Sequence, residues 1–339
     1  MNYSFPNIDL DTQESFTINS IIKSGWVSNG RHVEEMEHFL EERFGVKHAI
    51  LCNNATSALT IALKSAGWKN KKIGVPSFTW PSTVYSIESS CRNNEISFYD
   101  IDLKTWLITP DENCDALVVV DTFGNNAFKK YDKPVIYDAA HGFDLKNVGN
   151  RGLAEVISFS FTKIVTAMEG GVILTNNDTL AEVATELRRL SSRMGEINAV
   201  VLKNSIERYD KFYKDLRLKL IDNYRKGFDF TFTEQDIPID TNYSVYSILF
   251  ENSLIRNIVS SSLYQNGIEH KIYYEPLILG LPNTDSIFSR ILALPIHEHM
   301  INDQENIINI INKTVNIGSV PGKSYFYNSG YLKKYMNGK

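Results

Sequence analysis

Between Lys47 and Thr175 the chain alternates short β-rich runs with helical patterns, and no other feature constrains its fold as strongly. HAILC, IGVPSF, ISFYDID, ALVVVD, VIYDAA, VISFSF and GVILT read as strands, with TSALTIALKSAG and STVYSIESS as helices among them. This alternation predicts an α/β fold, a mostly parallel sheet covered by helices. In such folds ligands collect at the carboxyl ends of the strands, so the residues just after each apolar run are the candidates for chemistry.

At 339 residues the chain exceeds what one core usually serves. We expect a large domain over residues 1–200 and a smaller one over residues 201–321. They join in an amphipathic stretch where Ile206, Tyr209, Tyr213, Leu216, Leu220 and Tyr224 recur at three- and four-residue intervals, closing at Gly227. Beyond it NYSVYSILF, a helical run from Leu254 to Gln265, IEHKIYY, ILALPI and a helix near Gln304 to Asn312 predict a small α+β C-terminal domain. Gly322 to Lys339 is a basic aromatic tail with four lysines and no acids, either bound to a surface, packed on its own domain or disordered.

A formal charge of -5 provides no field for holding a nucleic acid backbone, so nucleic acid is not an expected partner. Cys52, Cys91 and Cys114 are too few and too scattered for a disulfide framework or a CxxC metal site, which predicts a reducing compartment and no metal. Neither a charged-then-apolar leader nor a run of about 18 apolar residues is present, so a cytoplasmic protein without a membrane span is expected. A dinucleotide-binding oxidoreductase fits the alternating elements but lacks a GxGxxG turn after the first strand.

Four strand-end segments carry usable groups. SFSFTKIVTAMEGGVILT sets Lys163 between two apolar runs, ahead of Glu169, Gly170 and Gly171; alone, such a lysine is more often a solvated loop residue. VIYDAAHG ends a strand on Asp138, with His141 three positions on. The acid either caps a helix or serves pyridoxal phosphate, whose ring needs a carboxylate to keep its nitrogen protonated. Ala139 and Ala140 leave room for a flat ring, and His141 can reach the ring's phenolic oxygen. In NNATSALTIAL, Thr56 and Ser57 open a helix with unpaired amides, which is either a phosphate site or an ordinary capped helix. Ser158, five residues before Lys163, offers a hydroxyl to the same phosphate; Trp80 in PSFTWPSTV either stacks on the ring or belongs to the core.

Taken in order, these blocks resemble the DegT/StrS-type sugar-nucleotide aminotransferases, a branch of the fold-type I pyridoxal phosphate enzymes, and the likeness runs through most of the chain. SGWVSNGRHVEEMEHFLEERFGVKHAI resembles the family's amino-terminal segment, NNATSAL its phosphate turn and PSFTWPSTV its aromatic strand end. DAAHG resembles its Asp-Ala-Ala-Gln/His block, and SFSFTK with EGG its serine and lysine block. RMGEINA and IYYEPL resemble segments near the second half of the site.

The resemblance implies pyridoxal 5'-phosphate carried on Lys163, with Asp138 at the pyridine nitrogen, His141 at the ring oxygen, Thr56, Ser57 and Ser158 on the phosphate, and Trp80 stacked. It also implies Trp26, Ser28, Arg193 and Tyr274 near a sugar nucleotide, with Arg193 toward the pyrophosphate, in a homodimer with shared sites. The implied reaction moves an amino group from glutamate to the keto carbon of a nucleotide-linked 6-deoxyhexose, 4-keto before 3-keto. A dehydratase branch carries histidine in place of the lysine, so Lys163 points to transamination; a dehydratase or epimerase and a non-catalytic regulator are the alternatives. The chain departs from the family pattern where LRRLSSRMGEINA passes almost directly from one block to the next. Ser191 stands where the resemblance places an asparagine that reaches the neighbouring subunit's phosphate.

Overall fold

The alternating runs become a seven-stranded sheet in a computed structural model that describes residues 10–90 and 93–318. Its strands are β1 (His48–Cys52), β2 (Lys72–Pro76), β3 (Glu95–Tyr99), β4 (Ala116–Val120), β5 (Val135–Asp138), β6 (Ala154–Ser158) and β7 (Gly171–Thr175), in the spatial order β1-β7-β6-β5-β4-β2-β3. The run from β3 through β2, β4 and β5 to β6 is parallel, whereas β7 is antiparallel to both β6 and β1. The mostly parallel sheet expected from the alternation is therefore present, with one strand reversed. The reversal follows from the connection: β6 returns as β7 through residues 159–170, which hold no helix, and a parallel neighbour needs a longer crossover usually built on one.

Every residue of β4, β6 and β7 is buried, so both faces of the sheet are covered. The covering helices include α2 (Arg31–Phe44), α3 (Ala55–Ser65), α4 (Pro81–Ser90) and α5 (Asp178–Ser191), whereas α1 (Thr12–Ser24) places no residue in the apolar clusters of the sheet. Because side chains alternate along a strand, neighbours on one strand serve different cores: Val118, Val156 and Ile173 enter one apolar cluster, Leu117, Ile157 and Val172 the other. Each such burial contributes about 1.5–3 kcal/mol.

Two helices, α6 (Glu196–Arg208) and α7 (Lys214–Gly227), continue through a π-helical turn at Tyr209–Tyr213. The run begins ten residues before the Ile206 at which the periodicity placed it. Tyr209 and Tyr213 belong to a cluster of the large sheet, Leu220 and Tyr224 to a third cluster, and Leu216 packs against both. One amphipathic helix thus serves two cores. The third cluster lies around β8 (Thr233–Glu234), β9 (Tyr246–Leu249) and β10 (Ile291–Leu294), an antiparallel sheet with α8 (Ser253–Gln265), α9 (Pro282–Arg290) and α10 (Gln304–Gly318). IEHKIYY forms no strand; from it only Lys271 bridges, to Ala293. The tail from Gly322 to Lys339 lies outside the described residues.

The amino-terminal segment is fastened by a distant acid. α1 carries its own capping box, Asp11 with Glu14. α2 starts after Gly30, which has no side chain to cap it. Buried Glu196 takes over, its carboxylate accepting from the backbone N–H of Gly30 at 2.8 Å, His32 at 2.9 Å and Val33 at 3.2 Å. Ser28 also bridges Gly195, and the Asn29 N–H donates to the Met194 carbonyl at 3.0 Å, so SGWVSNG and RMGEINA form one unit.

Candidate active site

Register brings the ends of β1 and β6 to one level and the end of β5 two residues short of it, since Asp138 pairs with Val156. Asp138 ends β5, Ser158 ends β6, and Gly171 at the start of β7 pairs with both Ser158 and Cys52, the last residue of β1. α3 opens shortly after β1, so its first turn lies beside this row. A Cβ on Gly171 would stand 2.7 Å from both the N and the Cα of Ala55, which only glycine avoids; strand and helix start meet backbone to backbone. Asn54 caps the helix, its side chain accepting from the Ser57 N–H at 2.8 Å. One first-turn amide expected to be bare is therefore already taken, by a residue type suited to capping. Thr56 and Ser57 remain partly exposed at that turn, and Ser158 is buried beside it.

Asp138 caps no helix, since the residues after it form turns. Its Oδ2 accepts from the Thr83 hydroxyl at 2.7 Å and its Oδ1 from the Ala140 N–H at 3.2 Å. Thr83 has spent its one proton, so it accepts in turn from Thr79 at 3.0 Å. Burial raises the Asp138 carboxyl above its ordinary range, while the two hydrogen bonds and the Lys163 charge act against it. A buried carboxylate held at both oxygens invites a cation.

Lys163 follows β6 by a turn in which its N–H donates to the Ser160 carbonyl at 3.0 Å. Its amine lies 2.9 Å from Nε2 of His141, and the Tyr274 hydroxyl lies 3.1 Å from the same nitrogen. Nδ1 of His141 is 2.7 Å from the Ser244 hydroxyl. Burial lowers Lys163 to about 8, with the charge of Asp138 opposing. Burial also pushes His141 well below its usual value, helped by the charges of Lys163 and Arg217, so the ring is neutral at physiological pH.

The remaining sequence-predicted residues divide into two groups. Tyr274 is buried, stacked on Phe123 at 5.0 Å and edge-on to Phe78 at 5.5 Å, so it belongs to the Lys163–His141 cluster. Trp80 is 57% exposed, edge-on to Tyr273 and Tyr274 at 6.3 and 6.4 Å; it is a rim residue, not core. Trp26 and Arg193 are exposed, and the half-buried Ser28 donates to the Met194 carbonyl at 3.3 Å. Arg193 bridges Cys52 through its backbone. Ser191 ends α5 with its hydroxyl turned back onto the Leu187 carbonyl at 2.8 Å. Sequence reading missed Thr83, Thr79 and Ser244; Asn54, directly before a helical pattern, was open to detection.

An amine of lowered basicity at one strand end and a buried carboxylate at the next suit pyridoxal 5'-phosphate, and the sheet is that of the fold-type I enzymes that use it. Residues 9–312 match the model of the DegT/DnrJ/EryC1/StrS aminotransferase family. The chain is 26% identical to a UDP-4-amino-4,6-dideoxy-N-acetyl-beta-L-altrosamine transaminase of Campylobacter jejuni, over 88% of this chain and 93% of that one. It is 27% identical to a dTDP-4-amino-4,6-dideoxy-D-glucose transaminase of Shigella dysenteriae, over 82% and 88% of the two chains. Its fold is similar to that of the Escherichia coli GDP-4-keto-6-deoxy-D-mannose-3-dehydratase with bound hydrated PLP, with a TM-score of 0.79 over 92% and 99% of the chains at 16% identity. The chain belongs to the DegT/DnrJ/EryC1/StrS aminotransferase family. It is an aminotransferase, and as a member of that family its cofactor is pyridoxal 5'-phosphate. Among the described residues no helix is long and apolar enough to cross a membrane, and no group of three His, Cys, Asp or Glu is arranged to hold a metal.

Proposed function

We propose that this enzyme transfers an amino group from glutamate to the keto carbon of a nucleotide-linked 6-deoxyhexose, the 4-keto sugar before the 3-keto. The observation that carries the reading is the Lys163 amine, enclosed, lowered to about 8 and 2.9 Å from His141, at the position where the dehydratase branch has histidine. The names of the two transaminase relatives, both of 4-amino-4,6-dideoxy sugars on nucleotides, support the sugar class.

Bound here, pyridoxal phosphate supplies an aldehyde that condenses with amines and a ring that withdraws electrons from the donor's alpha carbon. Lys163 would anchor it, and its Nζ, an amine that titrates near neutrality, would move the proton of the donor's alpha carbon. Asp138, aimed by Thr83 and Ala140, holds the proton on the ring nitrogen. Neutral His141 hydrogen-bonds the ring oxygen, the first turn of α3 with Thr56, Ser57 and Ser158 holds the phosphate, and Trp80 covers the ring. Trp26, Ser28 and Arg193 meet the sugar nucleotide, Arg193 at the pyrophosphate, with Tyr274 at its inner end. The enzyme works as a cytoplasmic homodimer with shared sites, each subunit divided into residues 1–200 and 201–321; the third cluster supports a second core, although it begins only at Leu220.

Incubation with glutamate and a panel of nucleotide keto sugars, with products identified by mass and NMR, tests the reading. Aminated sugar and 2-oxoglutarate in equal amounts are expected. Deoxygenated sugar formed without consumption of glutamate would overturn it. Borohydride should fix the cofactor to Lys163, and Lys163→Ala should lose that adduct.

A further inference from the structure

His141 meets Lys163 on one side of its ring and Ser244 on the other, from opposite parts of the chain. Ser244 precedes β9 in a turn fixed from several directions. Its N–H donates to the Asn242 side chain at 2.8 Å, and its carbonyl accepts from Arg217 at 3.0 Å. The same Asn242 side chain donates to the carbonyls of His141 and Phe143, each at 2.6 Å. The turn carrying the hydroxyl is thus tied to the loop carrying the ring, and the 2.7 Å contact between Ser244 Oγ and His141 Nδ1 is set by rigid neighbours.

A neutral imidazole has one N–H and one lone pair. A lysine ammonium can only donate, so opposite it Nε2 must accept, and the ring proton sits on Nδ1 and is donated to Ser244. A free amine can accept as well as donate, so Nε2 is free to carry the proton toward it, with Ser244 then donating into Nδ1. A hydroxyl turns between these roles without moving its oxygen. We propose that Ser244 is a positioning residue that lets His141 change tautomer in step with the protonation of Lys163, so that both forms of the lysine stay hydrogen-bonded.

Removing the hydroxyl breaks the symmetry. With Ser244→Ala, a proton on Nδ1 would be a donor without its side-chain partner, so the ring keeps it on Nε2 and Nδ1 is left as an unpaired acceptor instead. That tautomer faces the ammonium donor to donor and destabilises it. The other groups around the pair stay unchanged: Asp138 favours the charged lysine, Arg217 adds to the positive field on His141, and the Tyr274 phenol, which burial keeps neutral, can give or take a hydrogen bond at Nε2.

The test uses the cofactor-free protein. Nitrogen-15 spectra of histidine-labelled protein, with His141 assigned by its loss in His141→Gln, report the tautomer; competitive acylation read by peptide mass reports the Lys163 midpoint. The wild type should shift from the Nδ1–H to the Nε2–H form as Lys163 titrates. Ser244→Ala should show Nε2–H throughout and a Lys163 midpoint lower by about one unit, and Ser244→Thr should restore both. One tautomer at every pH in the wild type, or an unmoved midpoint in folded Ser244→Ala, would overturn the proposal. The functional meaning rests on Lys163 as the cofactor lysine. Borohydride labelling of another lysine would sink that assignment and leave the tautomer measurement standing.

Discussion

At the scale of single residues, Asp138 and Lys163 make separable predictions. Asp138→Asn keeps a carbonyl oxygen for Thr83 but cannot hold a proton on the ring nitrogen. Cofactor should stay bound while turnover falls by about 100-fold or more; an assay that pairs cofactor absorbance with turnover checks both, and near-normal turnover would put another group at the ring. Burial lowers the Lys163 ammonium from 10.5 to about 8, so its free amine is available at a lower pH than that of a surface lysine. Attachment of cofactor to the apoprotein should therefore quicken roughly tenfold per pH unit up to a midpoint of about 8 and then level off. A rate still climbing toward the ordinary lysine value of 10.5 would contradict the buried environment. Lys163, Asp138 and His141 were legible because each sits in a short block at a strand end. Thr83 and Ser244 were not, since Thr83 lies 55 positions from Asp138 and Ser244 lies 103 from His141, and neither has a local context that distinguishes it from a surface hydroxyl. Tyr274 could be named, but its depth depends on Phe123 and Phe78, which only tertiary packing brings to it.

At the scale of elements, the cap of α2 is the most exposed to test. Glu196→Ala leaves three amides without their acceptor in a buried place and should lower stability by about 2 kcal/mol in denaturant unfolding. Glu196→Gln keeps one acceptor oxygen and should lose less; an unchanged midpoint for the alanine variant would mean that water or a neighbour replaces the carboxylate. The central strands were legible because burial on both faces makes them continuous apolar runs. The direction of β7 was not, since GVILT reads alike either way and only the helix-free loop before it sets the sense. The helical run from Glu196 was found late because its amphipathic signature grows clear only where Ile206, Tyr209 and Tyr213 alternate with charged residues. The π turn left no mark, because both tyrosines remain buried through it.

At the scale of the whole molecule, Trp26, Trp80, Phe161 and Leu190 are large apolar side chains exposed on the single chain. Light scattering should give twice the monomer mass, and a fully active monomer would refute the shared site. Arg193→Ala should weaken sugar-nucleotide binding about tenfold or more, measured by calorimetry, and leave the glutamate half-reaction largely intact; unchanged affinity would free Arg193 of the pyrophosphate role. The order of blocks made the architecture legible at this scale, while the meeting of Ser244 with His141 across the two cores was not, because it depends on how the small sheet docks.

The place of β7 also dictates when the site can exist. Because β7 lies between β1 and β6, β1 has no neighbour in this sheet until residues 171–175 follow it out of the ribosome. β4, β5 and β6 can align earlier, but the helix start after β1 rests against Gly171, and α2 waits for Glu196. Such distant pairings form slowly, since the intervening chain must be ordered first. A nascent chain shorter than this already holds Asp138 and Lys163, but the helix start that should stand beside them has no strand to rest on.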